Sequence, residues 1–445
     1  MVYVYGSAAD KIRSCLYRLV KVEQEEVRPL LWSFSYFFVL LCSYYIVRPL
    51  RDEMGIAGGV EHLQWLFTGT FFVMLAAVPM YGWISSRYSR KRFLPLVYLF
   101  FIINLLIFYL LFHSGLAHAW VARAFFIWTS VFNLFIVSVF WSFMADLFYD
   151  DQAKRLFGFV AAGGTVGALT GPTITAVLAV PLGATNLLLI SIVGLFWAIL
   201  CIYRLSAWSE DRAVPAAISS TPNREPIVKE GASLGGGALD GLRMIITSPY
   251  LLGICLLIFL YTTLSTFLYF QQAQIIHDSF SDTAQRTTVF ATMDLATNSL
   301  TLIIQFFLTS RIVKLFGMGW SLALIPLLLG AGFLSLAFAP TLGVIVCVQV
   351  ARRAGNYSLM KPSRELLFVV LDKEKKYKAK NIIDTVIYRC GDVVSAWAYA
   401  GLQALGLGLA TIALVAVLLC GGWGWISYRL GRQQEIRANE KEMTR

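Results

Sequence analysis

Apolar stretches of about twenty residues follow one another along the whole chain, each closed by a short polar interval. At ~1.5 Å of rise per residue, such a stretch as a helix spans the roughly 30 Å hydrocarbon core of a bilayer. Twelve can be marked off. The first six lie at 30–47, 63–84, 93–112, 119–144, 157–180 and 185–205, and the second six at 249–270, 289–310, 320–338, 342–361, 385–404 and 409–426. Within lipid, backbone N–H and C=O groups must be satisfied inside the segment, so these stretches are predicted as α-helices. The pattern predicts an all-α membrane protein with twelve transmembrane helices.

Lysine and arginine orient this layout, because cytoplasmic loops are enriched in them. With both termini inside, only Arg48, Arg51 and Arg286 fall on outer loops, and Arg123, Arg352, Arg353 and Arg389 lie within spans; the remainder of the 37 basic residues sit on inner loops, tails and span ends. Both termini are therefore expected to be cytoplasmic. No cleavable signal is expected, since the first 28 residues lack an apolar core and carry Glu23, Glu25 and Glu26. The stretch 12–22 sets Ile12, Leu16, Leu19 and Val20 at helical spacing. It reads either as a helix on the inner membrane surface or as a solvated lead into the first span.

The longest polar interval, 206–247, contains Pro215, Pro222, Pro226 and the glycine run 235–237, and such a linker divides the spans six and six. The expected organisation is an N-terminal segment 1–29, a six-helix bundle 30–205, a linker 206–247, a second bundle 248–428 and a tail 429–445. The halves echo each other, each with a short basic loop between its second and third spans and an acidic-then-basic loop after its fourth. This 6+6 chain of parallel repeats with inside termini resembles the major facilitator superfamily and its pseudo-twofold architecture.

Composition agrees: 58% of residues are hydrophobic and 14% charged, with a mean hydropathy of +0.68. The net charge of +11 does not point to nucleic acid, because the basic residues are dispersed between apolar spans and form no single basic face. The seven cysteines stand singly without a Cys-x-x-Cys pair and read as packing residues. His62, His113, His118 and His277 fall in predicted outer loops, so no metal is expected. No nucleophile motif or phosphate-binding glycine loop appears; no cofactor and no enzymatic activity are expected.

Charge inside the spans is the most informative departure from this pattern. Arg352 and Arg353 stand side by side in the tenth span, where a charge is costly and normally faces a bundle interior or wet cavity. Consecutive helical residues point roughly 100° apart, so at most one of the two faces a cavity squarely. Asp294 and Asp392 are the carboxylates within spans; Asp392 follows Arg389 by three positions and is expected to pair with it. The excess of cations predicts a small anionic solute as partner, besides the lipid bilayer.

Four motifs bring a family into view. The first intracellular loop, Gly82-Trp-Ile-Ser-Ser-Arg87-Tyr-Ser-Arg90-Lys91-Arg92, resembles the signature loop of major facilitators, with Ser86 where the usual aspartate stands. The first span ends in Tyr44-Tyr-Ile-Val-Arg48-Pro-Leu-Arg51-Asp52-Glu53-Met-Gly55. The fourth and fifth spans are joined through Phe140-Trp141-Ser-Phe-Met-Ala-Asp146 and Asp150-Asp151-Gln-Ala-Lys154-Arg155. The tenth span leads into Lys361-Pro-Ser-Arg364-Glu365, followed by Lys378-Ala-Lys380 and Asp384. Together the last three resemble the ATP/ADP translocase family of plastids and intracellular bacteria, in its bacterial branch.

The resemblance implies that Arg48, Arg51 and Asp52 belong to the first family motif, that its acidic position before Ala-Lys-Arg falls on Asp151 or Gln152, and that Arg364, Glu365, Lys378, Lys380 and Asp384 belong to the last. Arg51 stands where the family has lysine. Facilitator cavities are lined chiefly by the first and fourth spans of each half, which assigns substrate contact to Arg48, Arg51, Arg123, Arg352, Arg353, Asn356, Tyr357 and Lys361. Gating or coupling falls to Arg87, Asp52, Asp146, Asp151, Asp294, Arg364, Glu365, Arg389 and Asp392. Tyr261, Tyr269 and Phe270 are further rings that could stack on a base.

The resulting expectation is a monomeric carrier in a bacterial inner membrane, exchanging ATP/ADP-like nucleotides by alternating access. The competing reading is a proton-coupled facilitator for a carboxylate, siderophore or sugar phosphate.

Overall fold

The computed structural model describes residues 22–87, 90–115, 118–218, 238–372, 379–380 and 382–443. Every regular element among them is helical. The amphipathic stretch expected before residue 22, the centre of the linker and Lys378 lie outside the described residues, and so do the side chains of Ser86, Arg90, Lys91 and Arg92.

The helices, in chain order, are α1 (Val27–Ala57), α2 (Leu63–Arg87), α3 (Arg90–Ser114), α4 (His118–Leu147), α5 (Asp150–Leu182), α6 (Leu187–Ile218) and the short α7 (Ala238–Thr247). They continue with α8 (Pro249–Ser279), α9 (Thr283–Phe307), α10 (Thr309–Phe338), α11 (Leu342–Gly355), α12 (Lys361–Leu367), α13 (Tyr388–Ala404) and α14 (Leu409–Met443). Ten helices among the described residues are long and apolar enough to cross a membrane. Local chemistry sets their starts: Ser248 caps α8 by accepting from the Leu251 amide, with Pro249 at the first helical position, and Asp282 caps α9 by accepting from Gln285.

The predicted tenth and eleventh spans take a different form. The tenth is split into α11, a π-helical turn at Asn356–Met360, and α12; the eleventh opens on a second π turn, Ile383–Ile387, ahead of α13. A π turn leaves carbonyls off the regular ladder, and those carbonyls need donors. At the first turn Thr309 Oγ1 donates to the Ser358 carbonyl at 2.9 Å and Gln305 Nε2 to that of Tyr357 at 3.3 Å. Such turns recur at functional positions, and here both interrupt helices that carry the candidate residues.

Two compact units form. The first comprises Met1–Arg51, Met74–Val121 and Trp128–Ala232, and the second Asp52–Val73, Ala122–Ile127 and Ser233–Arg445. In the first unit α5 lies directly on α1. A Cβ at Gly163 would stand 2.5 Å from the Phe34 carbonyl oxygen, one at Gly167 2.3 Å from that of Phe38, and one at Gly171 2.6 Å from that of Cys42. The glycine spacing of α5 is thus a groove for the α1 backbone. Buried polar groups around it find partners in pairs: Tyr36 donates to Tyr98 at 2.6 Å, and Ser43 and Ser191 each donate to the other's carbonyl, at 3.4 and 3.2 Å.

In the second unit α10 and α14 run together. At Gly317 (φ +72°) α10 bends, and the amide of Met318 beyond the bend is capped by Glu435 Oε1 at 2.6 Å. Gly319 and Gly431 bring the two backbones together, since a Cβ on Gly431 would lie 2.5 Å from the Gly319 Cα. Helix α8, largely buried along its length, occupies the core of this unit.

Candidate functional site

Arg352 and Arg353 close the last turn of α11, immediately before the π turn, and both are buried. Their side chains diverge as adjacent helical residues must. Arg353 Nη2 reaches Asp294 Oδ1 on α9 at 2.5 Å, so its charge is met by a carboxylate that is itself 1% exposed. Arg352 turns toward α8. Its Nε donates to Gln349 Oε1 at 2.8 Å and its Nη1 to Ser265 Oγ at 2.5 Å, and Gln349 Nε2 in turn donates to Gln272 Oε1.

Gln349 and Arg352 are three apart on α11, and Ser265 and Gln272 seven apart on α8, spacings that put each pair on one helix face. The partners of Arg352 are neutral: no carboxylate within ion-pair distance appears among the described residues. The adjacent arginines therefore differ in charge balance. Arg353 forms a neutral pair, while Arg352 keeps a whole positive charge inside the helices.

A second group gathers where α1 ends. Glu53, fully buried, accepts from Arg286 Nη2 at 2.8 Å, and the neighbouring Asp52 accepts from the Tyr269 hydroxyl at 3.2 Å. Arg123 donates to the Gly58 carbonyl at 2.8 Å, and Trp397 Nε1 to Thr68 Oγ1 at 3.1 Å. All of these residues belong to the second unit. Arg286, placed on an outer loop by the charge pattern, lies in the first turn of α9.

A third group surrounds α12 and the second π turn. Arg364 Nη2 lies 3.5 Å from Asp384 Oδ1, and Lys380 is paired with Glu365. Burial pushes the Asp384 carboxyl above its ordinary range, against the pull of Arg364 and Lys380. Further along α13, Arg389 Nη1 lies 3.7 Å from Asp392 Oδ2.

Asn356 starts the π turn, and Tyr357 and Lys361 are exposed. Tyr269 and Phe270 pack on Phe67, and Tyr261 on Tyr388 and Trp423. In the first unit Arg48 stands over the Tyr45 ring at 5.6 Å, Arg51 is half-buried in α1, and Arg87 stands over Trp83 at 4.6 Å. Asp146 is exposed in the last turn of α4 and Asp151 in the first turn of α5. Gln152, the alternative family position, is the buried one, and its Nε2 donates to Glu26 Oε1 at 2.6 Å while Arg155 approaches the same oxygen at 3.1 Å.

Sequence reasoning passed over Glu26, Glu53, Ser265, Gln272 and Gln349. For Gln349 a signal was present, an amide one helical turn before the arginine pair on the same face. For Glu53 the signal was its place at the end of the first family motif. Its partner lies 233 residues away, and nothing local announces it.

Helices of membrane-spanning length with arginine charge buried among them define a multi-pass membrane protein. Residues 30–360 match the family model of the Major Facilitator Superfamily, and the chain belongs to that family. It is 21% identical to ADP,ATP carrier protein 1 of Chlamydia muridarum over 86% of this chain and 82% of that one. To the chloroplastic ADP,ATP carrier protein 1 of Arabidopsis thaliana it is 23% identical over 60% of this chain and 46% of that one. Among solved structures, the nucleoside transporter NupG superposes with a TM-score of 0.60 at 11% identity, covering 91% of this chain and 99% of that chain. A bacterial homolog of the human lysosomal transporter Spinster, inward-facing and unoccupied, gives 0.58 at 12% identity over 93% and 99%.

Proposed function

We propose that the protein is an inner-membrane carrier of bacteria that moves an organic anion, a nucleotide of the ATP/ADP type, by alternating access and by exchange. The observation that carries this reading is Arg352, a buried guanidinium held by an amide and a hydroxyl instead of a carboxylate. An uncompensated charge among membrane helices is costly, and an anionic solute offsets that cost when it binds. Exchange follows from the same electrostatics: an empty site would have to carry an unmatched cation through the closed state, whereas a loaded one is neutralised. The ADP,ATP carrier relatives support the nucleotide as the anion.

Arg353 belongs in this reading to the scaffold, since Asp294 already matches its charge. The test is uptake of labelled ATP into proteoliposomes. Internal ADP is expected to raise uptake strongly above that of empty vesicles, and Arg352→Gln to abolish it. Uptake that ignores internal nucleotide and follows an imposed pH gradient would favour the proton-coupled alternative. Absence of ATP or ADP uptake under every loading would refute the nucleotide assignment.

A further inference from the structure

The buried arginines of the second unit have two kinds of partner. Arg353 meets Asp294 and Arg286 meets Glu53, one carboxylate to each guanidinium. Arg352 meets Gln349, a side chain that differs from glutamate only in its terminal amide. A glutamate there would satisfy the Nε–H as well and would remove the cost of the bare charge. The amide supplies the same geometry while leaving the charge in place.

The amide is also held in one orientation. A guanidinium can only donate, so the Gln349 oxygen must face Arg352, which turns the Gln349 nitrogen outward to find an acceptor. Gln272 Oε1 is that acceptor. Gln272, Gln349 and Arg352 thus form a chain in which each hydrogen bond fixes the next, and Ser265 takes one Nη1 hydrogen. The chain occupies the Nε and one Nη1 hydrogen of the five N–H groups a guanidinium carries. The second Nη1 hydrogen and the two Nη2 hydrogens have no partner among the described residues, and one hydrogen from each of the two nitrogens supplies the paired donors that suit a phosphate or carboxylate oxyanion.

We propose that Gln349, oriented by Gln272, is a positioning residue that sets the charge selectivity of the site: it aims the Arg352 fork at the oxyanion of the solute without neutralising it. This rests on the reading of Arg352 as the anion contact.

The experiment uses the purified full chain with ATP, ADP, inorganic phosphate and glutamate as thermal-shift probes, and proteoliposomes for ATP uptake. Gln349→Glu is nearly isosteric and places a carboxylate on Arg352. It is expected to keep or raise the unfolding temperature of the unliganded protein, to abolish the anion-induced shift near neutral pH, and to regain it as acidification protonates the introduced carboxyl. Gln349→Met, which keeps the volume and removes the acceptor, is expected to raise the KM for ATP roughly tenfold to a hundredfold, the worth of one hydrogen bond to a charged group, with little change in maximal rate. A Gln349→Glu protein that binds and transports ATP as the unsubstituted one does would overturn the proposal, as would one whose loss is independent of pH and accompanied by a lowered unfolding temperature. If none of the four anions shifts the unsubstituted protein, the anion reading itself fails and the proposal with it. If any of them shifts it and Gln349→Glu responds equally, only the role of Gln349 fails.

Discussion

Arg286 at the start of α9 donates twice to one oxygen of Glu53 near the end of α1, from Nη2 at 2.8 Å and from Nε at 3.2 Å, while its Nη1 reaches the Phe280 carbonyl at 3.2 Å. Both side chains are buried. The pair ties the end of the first family motif to the second half of the sequence, at a point where Asp52 and Tyr269 make a parallel contact.

Removing one member of that pair leaves the other charge buried and unmatched, which costs roughly 3–5 kcal/mol. Glu53→Gln and Arg286→Gln are each expected to lower the unfolding temperature of the purified protein clearly, and the double substitution to recover much of the loss. Equal stability of the singles and the parent in a thermal melt would show that the pair contributes nothing.

The adjacent arginines should separate by the same measurement. Arg353→Gln takes the guanidinium away from the buried Asp294 carboxylate and is expected to destabilise the fold, a loss relieved by adding Asp294→Asn. Arg352→Gln removes a charge that no carboxylate matches and is expected to leave the melt unchanged or raised while the ATP-induced shift disappears. The reverse assignment would appear as a stable Arg353→Gln that has lost its ATP response.

Two glycines of α5 provide a packing test within one helix. At Gly167 an added Cβ would meet the Phe38 carbonyl oxygen at 2.3 Å and the Cys42 amide at 2.9 Å, atoms of a backbone that cannot step aside. Gly167→Ala is expected to destabilise by about 1–3 kcal/mol or more. Gly158 has nothing within 4 Å of that position, so Gly158→Ala should gain up to about 1 kcal/mol from helix propensity. Melting temperatures moving the same way in both variants would contradict the α1–α5 contact.

Asp384 predicts a pH dependence. Burial raises its carboxyl above the ordinary value of 3.8, so the folded chain holds this proton more tightly than the unfolded chain. Its contribution to stability is then fully present below the unfolded value and is lost as pH rises through the raised folded value. Asp384→Asn should flatten that part of the stability profile. An unaltered slope in melts recorded across the acid range would rule the effect out.

The membrane-spanning pattern was legible because it is local: twenty apolar residues in a row state a helix without reference to the rest of the chain. The family motifs were legible for the same reason, and the Arg389–Asp392 pair followed from a spacing of three. Even the divergence of Arg352 and Arg353 was contained in helix geometry. What could not be read was where each of them went. The helical reading of 342–361 also gave no hint of the π turn at Asn356–Met360, whose displaced carbonyls are met by Thr309 and Gln305 on neighbouring elements.

By itself the sequence determined that the chain builds apolar helices and that arginines stand where lipid would exclude them. Only the tertiary structure decided which arginine is neutralised. Asp294 lies 59 positions from Arg353 and Ser265 lies 87 from Arg352, and a charge inside helices is governed by whichever side chain the packing brings within about 3 Å of it. Helix spacing can say that two neighbours point apart; it takes the packed fold to put a carboxylate beside one and an amide beside the other.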